Sequence, residues 1–500
     1  MQSKEFRLFL YTLSFIEGAN VMICELAGAK MLAPYFGTSL YVWAAALAVT
    51  LGGLMLGYFS GGILSRNVSK NQQTLFIVLL LAAVGLIVMP TTGKFAMDLT
   101  IHLSLKTGAI LALCIFMFPP LFLMGMVSPI IINLLNRETK EAGNSSGNIY
   151  AISTLGGILA TFFMGFYLIP EFGLHKPLIA GGLLLAIPVF IFTFIKYSAA
   201  KSTLGILICF TLSWLSLKAE SEKSKDTLYL SEGLMGKLEV KERFFPELNK
   251  KLLILAVNNT WQTIMDPLDE SFDYWPYTRA ITALIPSDQK DILLLGMGGG
   301  TVARRLLEKN KNVVAVEIDE RISIVAKTYF KLPEEVDIVC NDARYLIRTS
   351  KQMFDCILYD VFKGEAAPEH LLSLECIQEA GERLNQDGRL IFNMYGYLDG
   401  AYGALARALI KTLNFAGYYC YAYVTPGEPD HRNLILVASR KKIDTPQTIH
   451  YNQDTIAYAT EIPALADSVI LTDEKPQLHL FASAAYRWRQ LYRNLPTNIN

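Results

Sequence analysis

Seven long apolar runs crowd into the first 217 residues of this 500-residue chain. They fall at about Leu8–Phe36, Tyr41–Leu64, Leu75–Met89, Ala109–Leu135, Ile149–Ile169, Pro177–Ile195 and Leu204–Leu217. Most approach or exceed the roughly 20 residues that an α-helix needs to cross a bilayer. Met1–Arg7 is too short, and the run behind it too long, for a cleaved signal peptide. The runs therefore predict a multi-pass α-helical membrane domain. Leu204–Leu217 is the shortest and is read either as a seventh span or as a segment lying in the interface, which leaves six or seven helices.

Within the runs, Gly53, Gly57 and Gly61 recur every four residues, a spacing that lets two helix backbones approach closely. Glu17, Glu25 and Lys30 are costly in hydrocarbon and should face one another, a cavity or the interface. Pro119, Pro120 and Pro129 should kink the fourth span. Composition agrees with a membrane half: 52% of residues are hydrophobic, 18% are charged and the mean hydropathy is +0.32. The formal net charge is zero, so no global basic field exists to attract nucleic acid.

From Lys218 the texture changes. We read 1–217 as the transmembrane domain, 218–226 as a polar linker, 227–275 as a small β subdomain, 276–442 as a Rossmann-like domain and 443–500 as a C-terminal appendage. Leu238–Val240 and Leu252–Val257 alternate as β-hairpin strands do. Ile292–Leu295, Val313–Val316, Val336–Val339, Cys356–Tyr359 and Leu390–Met394 read as buried parallel strands separated by helices, a doubly wound α/β sheet. The seven cysteines form neither a CxxC pair nor a His-rich cluster, so buried free thiols are expected, with no disulfide framework and no metal site. Free thiols favour a reducing compartment for the second half.

The chemistry concentrates in that half. Ile292-Leu-Leu-Leu-Gly-Met-Gly-Gly-Gly-Thr301 is a strand entering a glycine loop, where Gly296, Gly298 and Gly300 permit a tight turn and close approach to a nucleotide. Glu317 follows at the end of the next strand, where a carboxylate accepts hydrogen bonds from ribose hydroxyls. Asp342 follows the third strand, where an adenine amino group could be read. Ordinary turns and helix caps explain any one of these and poorly explain three in order. The GMGGG form and the acidic adenine position favour an adenosyl sulfonium over a dinucleotide. Phe354-Asp-Cys-Ile-Leu-Tyr-Asp360 brings a carboxylate to the crevice of such a sheet, placed to take a proton from an amine that attacks a sulfonium-activated carbon. The alternative for Asp360 is a plain cap after a strand.

In this order Gln262, Tyr277, Gly296-Met-Gly-Gly-Gly300, Glu317-Ile-Asp319, Asp342-Ala343 and Asp360 resemble the polyamine aminopropyltransferases, the spermidine and spermine synthases. The resemblance covers about Leu228–Ser439. Glu25-Leu-Ala-Gly-Ala-Lys-Met-Leu-Ala-Pro-Tyr-Phe-Gly37, Gly125-Met-Val-Ser-Pro129, Ile149-Tyr-Ala-Ile-Ser-Thr-Leu-Gly-Gly157 and Leu471-Thr-Asp-Glu-Lys-Pro476 extend it to the membrane-fused branch. It implies an S-adenosylmethionine-dependent transferase fold, no permanently bound cofactor, and decarboxylated S-adenosylmethionine (or S-adenosylmethionine) as co-substrate. Glu317 would hold the ribose, Asp342 and Ala343 the adenine, and Gln262 the nucleoside. Tyr277 and Asp360 would meet the amine, with Asp360 as proton acceptor and Pro368 in a loop closing over the site. The implied partners are a small-molecule amine such as putrescine and membrane lipid; a homodimer stays open.

Three positions depart from the family. The loop Asp that anchors the aminopropyl amine is Gly299, the gate-loop Asp-Ser-Ser-Asp is Asp360-Val-Phe-Lys363, and Tyr277 is followed by Thr278-Arg279 in place of His or Gln and Glu. Loss of acidic contacts weakens the case for a dicationic polyamine, and Lys363 and Arg279 would repel one or bind a carboxylate. Methyl or aminocarboxypropyl transfer from S-adenosylmethionine therefore stays open, as does a transporter or sensor with a degenerate nucleoside-binding domain. Lys4, Arg7, Arg66, Lys70, Arg137, Lys140, Lys196 and Lys201 flank alternate loops, against Lys94, Lys106 and Lys176 opposite. The positive-inside rule places the N-terminus in the cytoplasm. Donor supply then places the catalytic domain on the cytoplasmic face of the cell (inner) membrane.

Overall fold

The computed structural model describes residues 4–37, 39–66, 71–136, 142–196, 199–221, 226–233, 235–361, 368–475, 477, 480, 484 and 486–488. Two compact units emerge, Met1–Lys225 with Ser231–Gly236, and Asp226–Leu230 with Lys237–Asn500.

The first unit is helical: α1 (Lys4–Met31), α2 (Ala33–Phe36), α3 (Leu40–Leu64), α4 (Asn71–Thr100), α5 (Leu105–Phe116), α6 (Phe118–Asn136), α7 (Ala142–Phe163), α8 (Ile169–Phe172), α9 (His175–Lys196) and α10 (Ala199–Ser221). A π-turn at Met164–Leu168 joins α7 to α8. Six helical stretches among the described residues are long and apolar enough to cross a membrane: Lys4–Phe36, Leu40–Leu64, Asn71–Thr100, Phe118–Leu135, Gly143–Phe172 and His175–Phe194. The seventh run is a helix too, but its apolar part, Gly205–Lys218, is shorter. That helix continues to Ser221, into the stretch read as linker. The fourth run is divided at Met117, because Pro119 and Pro120 have no N–H to bond back into α5. Lys94 lies within α4 and not in a loop.

The glycine spacing has the expected consequence. A Cβ on Gly57 would sit 2.4 Å from the Phe122 carbonyl oxygen, and one on Gly61 2.6 Å from that of Met126, so α3 and α6 touch backbone to backbone. Gly18 and Gly156 do the same for α1 and α7, at 2.0 Å from Ser153 O and 2.2 Å from Phe15 O. Glu17 is buried in this seam and accepts a hydrogen bond from Ser153 Oγ at 3.1 Å. Glu25 is partly buried, and the Lys30 ammonium lies 5.8 Å from the centroid of the Trp43 ring. Large apolar side chains point outward instead, among them Phe59, Phe95 and Phe166 at 66–77% exposure.

After the helices, β1 (Thr227–Gly233), β2 (Gly236–Phe245), β3 (Lys250–Val257) and β4 (Thr260–Met265) lie in that order in a small sheet. A nine-stranded sheet follows. Its strands are β5 (Asp291–Leu295), β6 (Asn312–Glu317), β7 (Asp337–Cys340), β8 (Phe354–Tyr359), β9 (Leu384–Tyr395), β10 (Tyr419–Val424), β11 (Asn433–Ser439), β12 (Thr448–Tyr451) and β13 (Asp454–Thr460). The helices are α11 (Tyr277–Ala283), α12 (Thr301–Glu308), α13 (Glu320–Tyr329), α14 (Ala343–Thr349), α15 (Leu374–Gly381) and α16 (Ala404–Phe415). The sheet order is β12-β13-β10-β11-β9-β8-β5-β6-β7, parallel from β9 to β7 and antiparallel at β11. This is a Rossmann-like sheet. Each of the five expected parallel strands is present.

The segment after residue 442 differs from the appendage expected. β12 and β13 extend the sheet edge beside β10, because Ile449, Ile456 and Ala457 bury there with the main core. The thiols differ as well. All seven cysteines are free, but Cys114 and Cys340 are exposed and Cys420 is half-buried.

Successive residues of β5 enter opposite cores. Ile292 and Leu294 pack with α11, α12 and α13 on one face, Leu293 and Leu295 with α14, α15 and α16 on the other. β6 lies on one side of β5 and β8 on the other, so the chain reverses direction across the sheet between β5 and β8. A crevice opens at the carboxyl ends of strands at such a point.

Candidate active site

Both chemical motifs end at that crevice. The glycine loop leaves β5 and turns into α12, and Asp360 is the residue after β8. Gly296 has φ +80°, and a Cβ there would lie 2.2 Å from the Asp360 carbonyl oxygen. Only glycine lets the loop pass this close to the end of β8. Gly300, at φ +83°, precedes α12 against Leu332, and Gly298, at φ +54°, lines the pocket.

Asp360 is held from two sides. Its Oδ1 accepts a hydrogen bond from Asn393 Nδ2 at 2.8 Å, and its Oδ2 accepts one from the Tyr277 hydroxyl at 3.3 Å. Asn393 Oδ1 in turn accepts from Asn433 Nδ2 at 2.9 Å. Burial pushes the Asp360 carboxyl up to about 6, against the opposing pull of Asn393 and Tyr277. Burial also raises the Tyr277 hydroxyl, with the Asp360 charge adding to it, so the tyrosine stays a donor.

The pocket around this carboxylate collects Gln262 and Thr263 from β4, Asp273 and Trp275 from the segment before α11, Tyr277 from α11, and Met297 and Gly298 from the loop. Asn393, Tyr395, Asn433 and Trp488 complete it. Gln262, Gly298, Tyr277 and Asp360 therefore converge. Glu317 reaches the underside of the loop: its Oε2 accepts from Met297 N at 3.3 Å and its Oε1 from Asp319 N at 3.1 Å. Burial raises its carboxyl, opposed by the Asp319 and Met297 amides.

Asp342, Ala343 and Pro368 do not line the pocket. Asp342 caps α14 by accepting from Tyr345 N at 3.0 Å, and its other oxygen lies 3.3 Å from His370 Nε2. Partial burial opposes its charge, but the Tyr345 amide and His370 outweigh that and hold the carboxyl below its ordinary range. Pro368 begins the short turn Glu369–Leu371 that carries His370, and Ala343 is the buried first residue of α14. Lys363 lies outside the described residues.

Two further departures from the family have structural explanations. The Gly299 amide donates to Thr263 Oγ1 at 2.8 Å, and a Cβ at Gly299 would meet Thr263 Cγ2 at 2.7 Å. Thr263 thus fills the space beside the loop into which a side chain at 299 would point. Arg279 was expected to repel a cation or bind a carboxylate of the substrate. Instead its Nε lies 2.6 Å from Asp273 Oδ2, and its guanidinium stacks 3.7 Å from the centroid of the Tyr451 ring. The extra strand β12 supplies that ring, so Arg279 is engaged within the protein.

Sequence reasoning missed Asn393, Asn433, Asp273 and Thr263. The first two carried a signal: a lone amide stands inside Leu390–Met394 and another opens Asn433–Ser439, both apolar strands in which a polar group needs a partner.

Residues 277–396 match the family described as the spermine/spermidine synthase domain. The chain is 34% identical to a polyamine aminopropyltransferase of Vibrio vulnificus over 139 residues, 26% of this chain and 46% of that one. It is 30% identical to a polyamine aminopropyltransferase of Chromobacterium violaceum over 145 residues, 28% and 56% of the two chains. It is also 24% identical over 274 residues to an N-terminal histidine N-methyltransferase of Emericella nidulans, 52% and 49% of the two chains. The alignments span about half the length of each of these relatives. On these matches, residues 277–396 carry a spermidine synthase-like domain.

Proposed function

We propose that this chain is a membrane-anchored transferase that moves an aminopropyl group from decarboxylated S-adenosylmethionine to an amine acceptor. The observation that carries the reading is Asp360, buried at the strand crossover beside the glycine loop and gripped by Tyr277 and Asn393. The ammonium of the acceptor gives a proton to Asp360. Its freed lone pair attacks the carbon next to the sulfonium, the C–N bond forms as the C–S bond breaks, and methylthioadenosine leaves as a neutral thioether. Burial raises the basicity of Asp360 and so favours proton acceptance. Glu317 holds the ribose, Gln262 touches the nucleoside, Asp342 with Ala343 reads the adenine, and Pro368 belongs to the loop that closes over the site.

A second reading, methyl or aminocarboxypropyl transfer from S-adenosylmethionine, is favoured by the space at Gly299, filled by Thr263 where the family holds the donor amine. The histidine methyltransferase likeness supports it too. Purified protein incubated with each donor separates the readings. Methylthioadenosine from decarboxylated S-adenosylmethionine is the expected product. S-adenosylhomocysteine would move the assignment to methyl transfer, and no product from either donor would leave a binding protein. Glu317→Ala should weaken nucleoside binding by roughly 1–3 kcal/mol, the loss of charge-assisted bonds. An unchanged affinity by calorimetry would remove the ribose assignment.

The outward-facing apolar surface of the helical unit supports insertion in the cell (inner) membrane. Free thiols and an adenosyl sulfonium that does not cross bilayers unaided support a cytoplasmic catalytic unit. Reporter fusions after Lys218 and after Asn500 should fluoresce from a cytoplasm-only reporter; alkaline phosphatase activity at both would reverse the topology.

A further inference from the structure

Three features of the acceptor side of the pocket stand together. The first is charge. Among the described residues, Asp273 and Asp360 are the acidic ones lining the pocket. The Asp273 side chain is only 4% exposed and is bound by two guanidinium groups, Arg279 Nε at 2.6 Å and Arg305 Nη2 at 2.8 Å. Arg305 also reaches both carboxylate oxygens through Nε at 3.1 Å. Asp273 therefore offers no net negative charge to a ligand, and among the described residues that line the pocket Asp360 alone carries the attraction for a cation.

The second feature is the wall. Trp275 packs against both Tyr274 and Tyr277, with ring centroids 5.7 and 6.4 Å away. Tyr395 and Trp488 form a second pair, at 5.0 Å. These rings line the pocket and lead to Asp360. Aromatic faces favour one delocalised or partly desolvated cation and an apolar body, but they do not neutralise a second charge.

The third feature is how firmly the arrangement is held. Arg279 is stacked on Tyr451 from β12, and Arg305 is tied to Glu308 and to the Glu270 carbonyl. Asp273 does not become available by a simple rotamer change.

We propose that the acceptor subsite takes an amine bearing one positive charge on an aromatic or apolar body, and discriminates against diamines. This rests on the transferase reading given above and narrows its substrate class. A second ammonium entering the subsite would lose water without meeting a carboxylate, a penalty set by burial of an unpaired charge. The clamped Asp273 is the determinant of that discrimination.

The test uses the full detergent-purified chain, with phenethylamine and putrescine titrated by calorimetry in the presence and absence of methylthioadenosine. Phenethylamine should bind at least about 10-fold more tightly than putrescine in both conditions. Equal or tighter putrescine binding overturns the proposal, as does failure of both amines to bind. Arg279→Gln should narrow the ratio by strengthening putrescine, because half of the clamp on Asp273 is removed. A ratio that does not narrow overturns the role of the clamp. Methylthioadenosine affinity, measured on the same samples, reports folding of the variant. Loss of nucleoside binding in the parent chain would instead count against the transferase reading, while the amine ranking is still read from the nucleoside-free titrations.

Discussion

Replacing Asp360 with asparagine is expected to lower turnover by about 10²–10⁴-fold, the usual contribution of a general base, while nucleoside affinity stays nearly unchanged. The substitution keeps the shape of the side chain and can keep the contact with Tyr277, but it removes the proton acceptor. The parent chain should show a matching pH dependence. A base must be ionised to act, and burial sets the Asp360 carboxyl at about 6, so activity should rise with pH through that value. Asn393→Ala removes a hydrogen bond that favours the charged form, so the rise should move to higher pH. Near-normal turnover in Asp360→Asn, or a rise unmoved by Asn393→Ala, would make Asp360 a strand-end cap and not the proton acceptor.

Gly296→Ala should have the largest effect on stability. A left-handed residue with a Cβ costs roughly 1–2 kcal/mol, and forcing a methyl against backbone atoms adds about 1–3 kcal/mol. The methyl would lie 2.2 Å from the Asp360 carbonyl oxygen and 3.1 Å from Val361 Cα, neither of which is a flexible side-chain end. Gly417→Ala is the control. Gly417 has φ +88° with no atom within 4 Å of an added Cβ, so it incurs the conformational cost alone. The melting temperature, read from intrinsic tryptophan fluorescence, should fall further for Gly296→Ala than for Gly417→Ala. Equal shifts would mean that the ends of β5 and β8 have room to separate, and that glycine is needed at 296 for its φ alone.

Much of this architecture follows from local pattern. The apolar runs mark the helices because length and hydropathy are properties of a single segment, and the buried strands β5 to β9 announce themselves as short apolar runs between glycine turns. The Gly53, Gly57 and Gly61 seam was legible for the same reason: a four-residue spacing puts small side chains on one helix face. The motif order also singled out four residues that line one pocket: Tyr277, Gly298 and Asp360, each of which follows a strand or opens a helix, and Gln262, which lies within β4.

What only the tertiary structure decided are relations between distant segments. The strand order placed β8 beside β5 and so brought Asp360 onto Gly296, although 63 residues lie between them in sequence. Pairing of β9 with β11 set Asn433 behind Asn393, which orients Asp360. The fate of Arg279 shows the limit of local reading most clearly. From sequence it is a cation beside the acceptor site. In the fold, Tyr451 from a late strand and Asp273 from a preceding turn take up its guanidinium, and its effect on the site becomes the cancellation of a carboxylate. A side chain's type fixes the charge it carries, but its net influence depends on which partners the long-range contacts bring within a few ångströms, where Coulomb and desolvation terms are large.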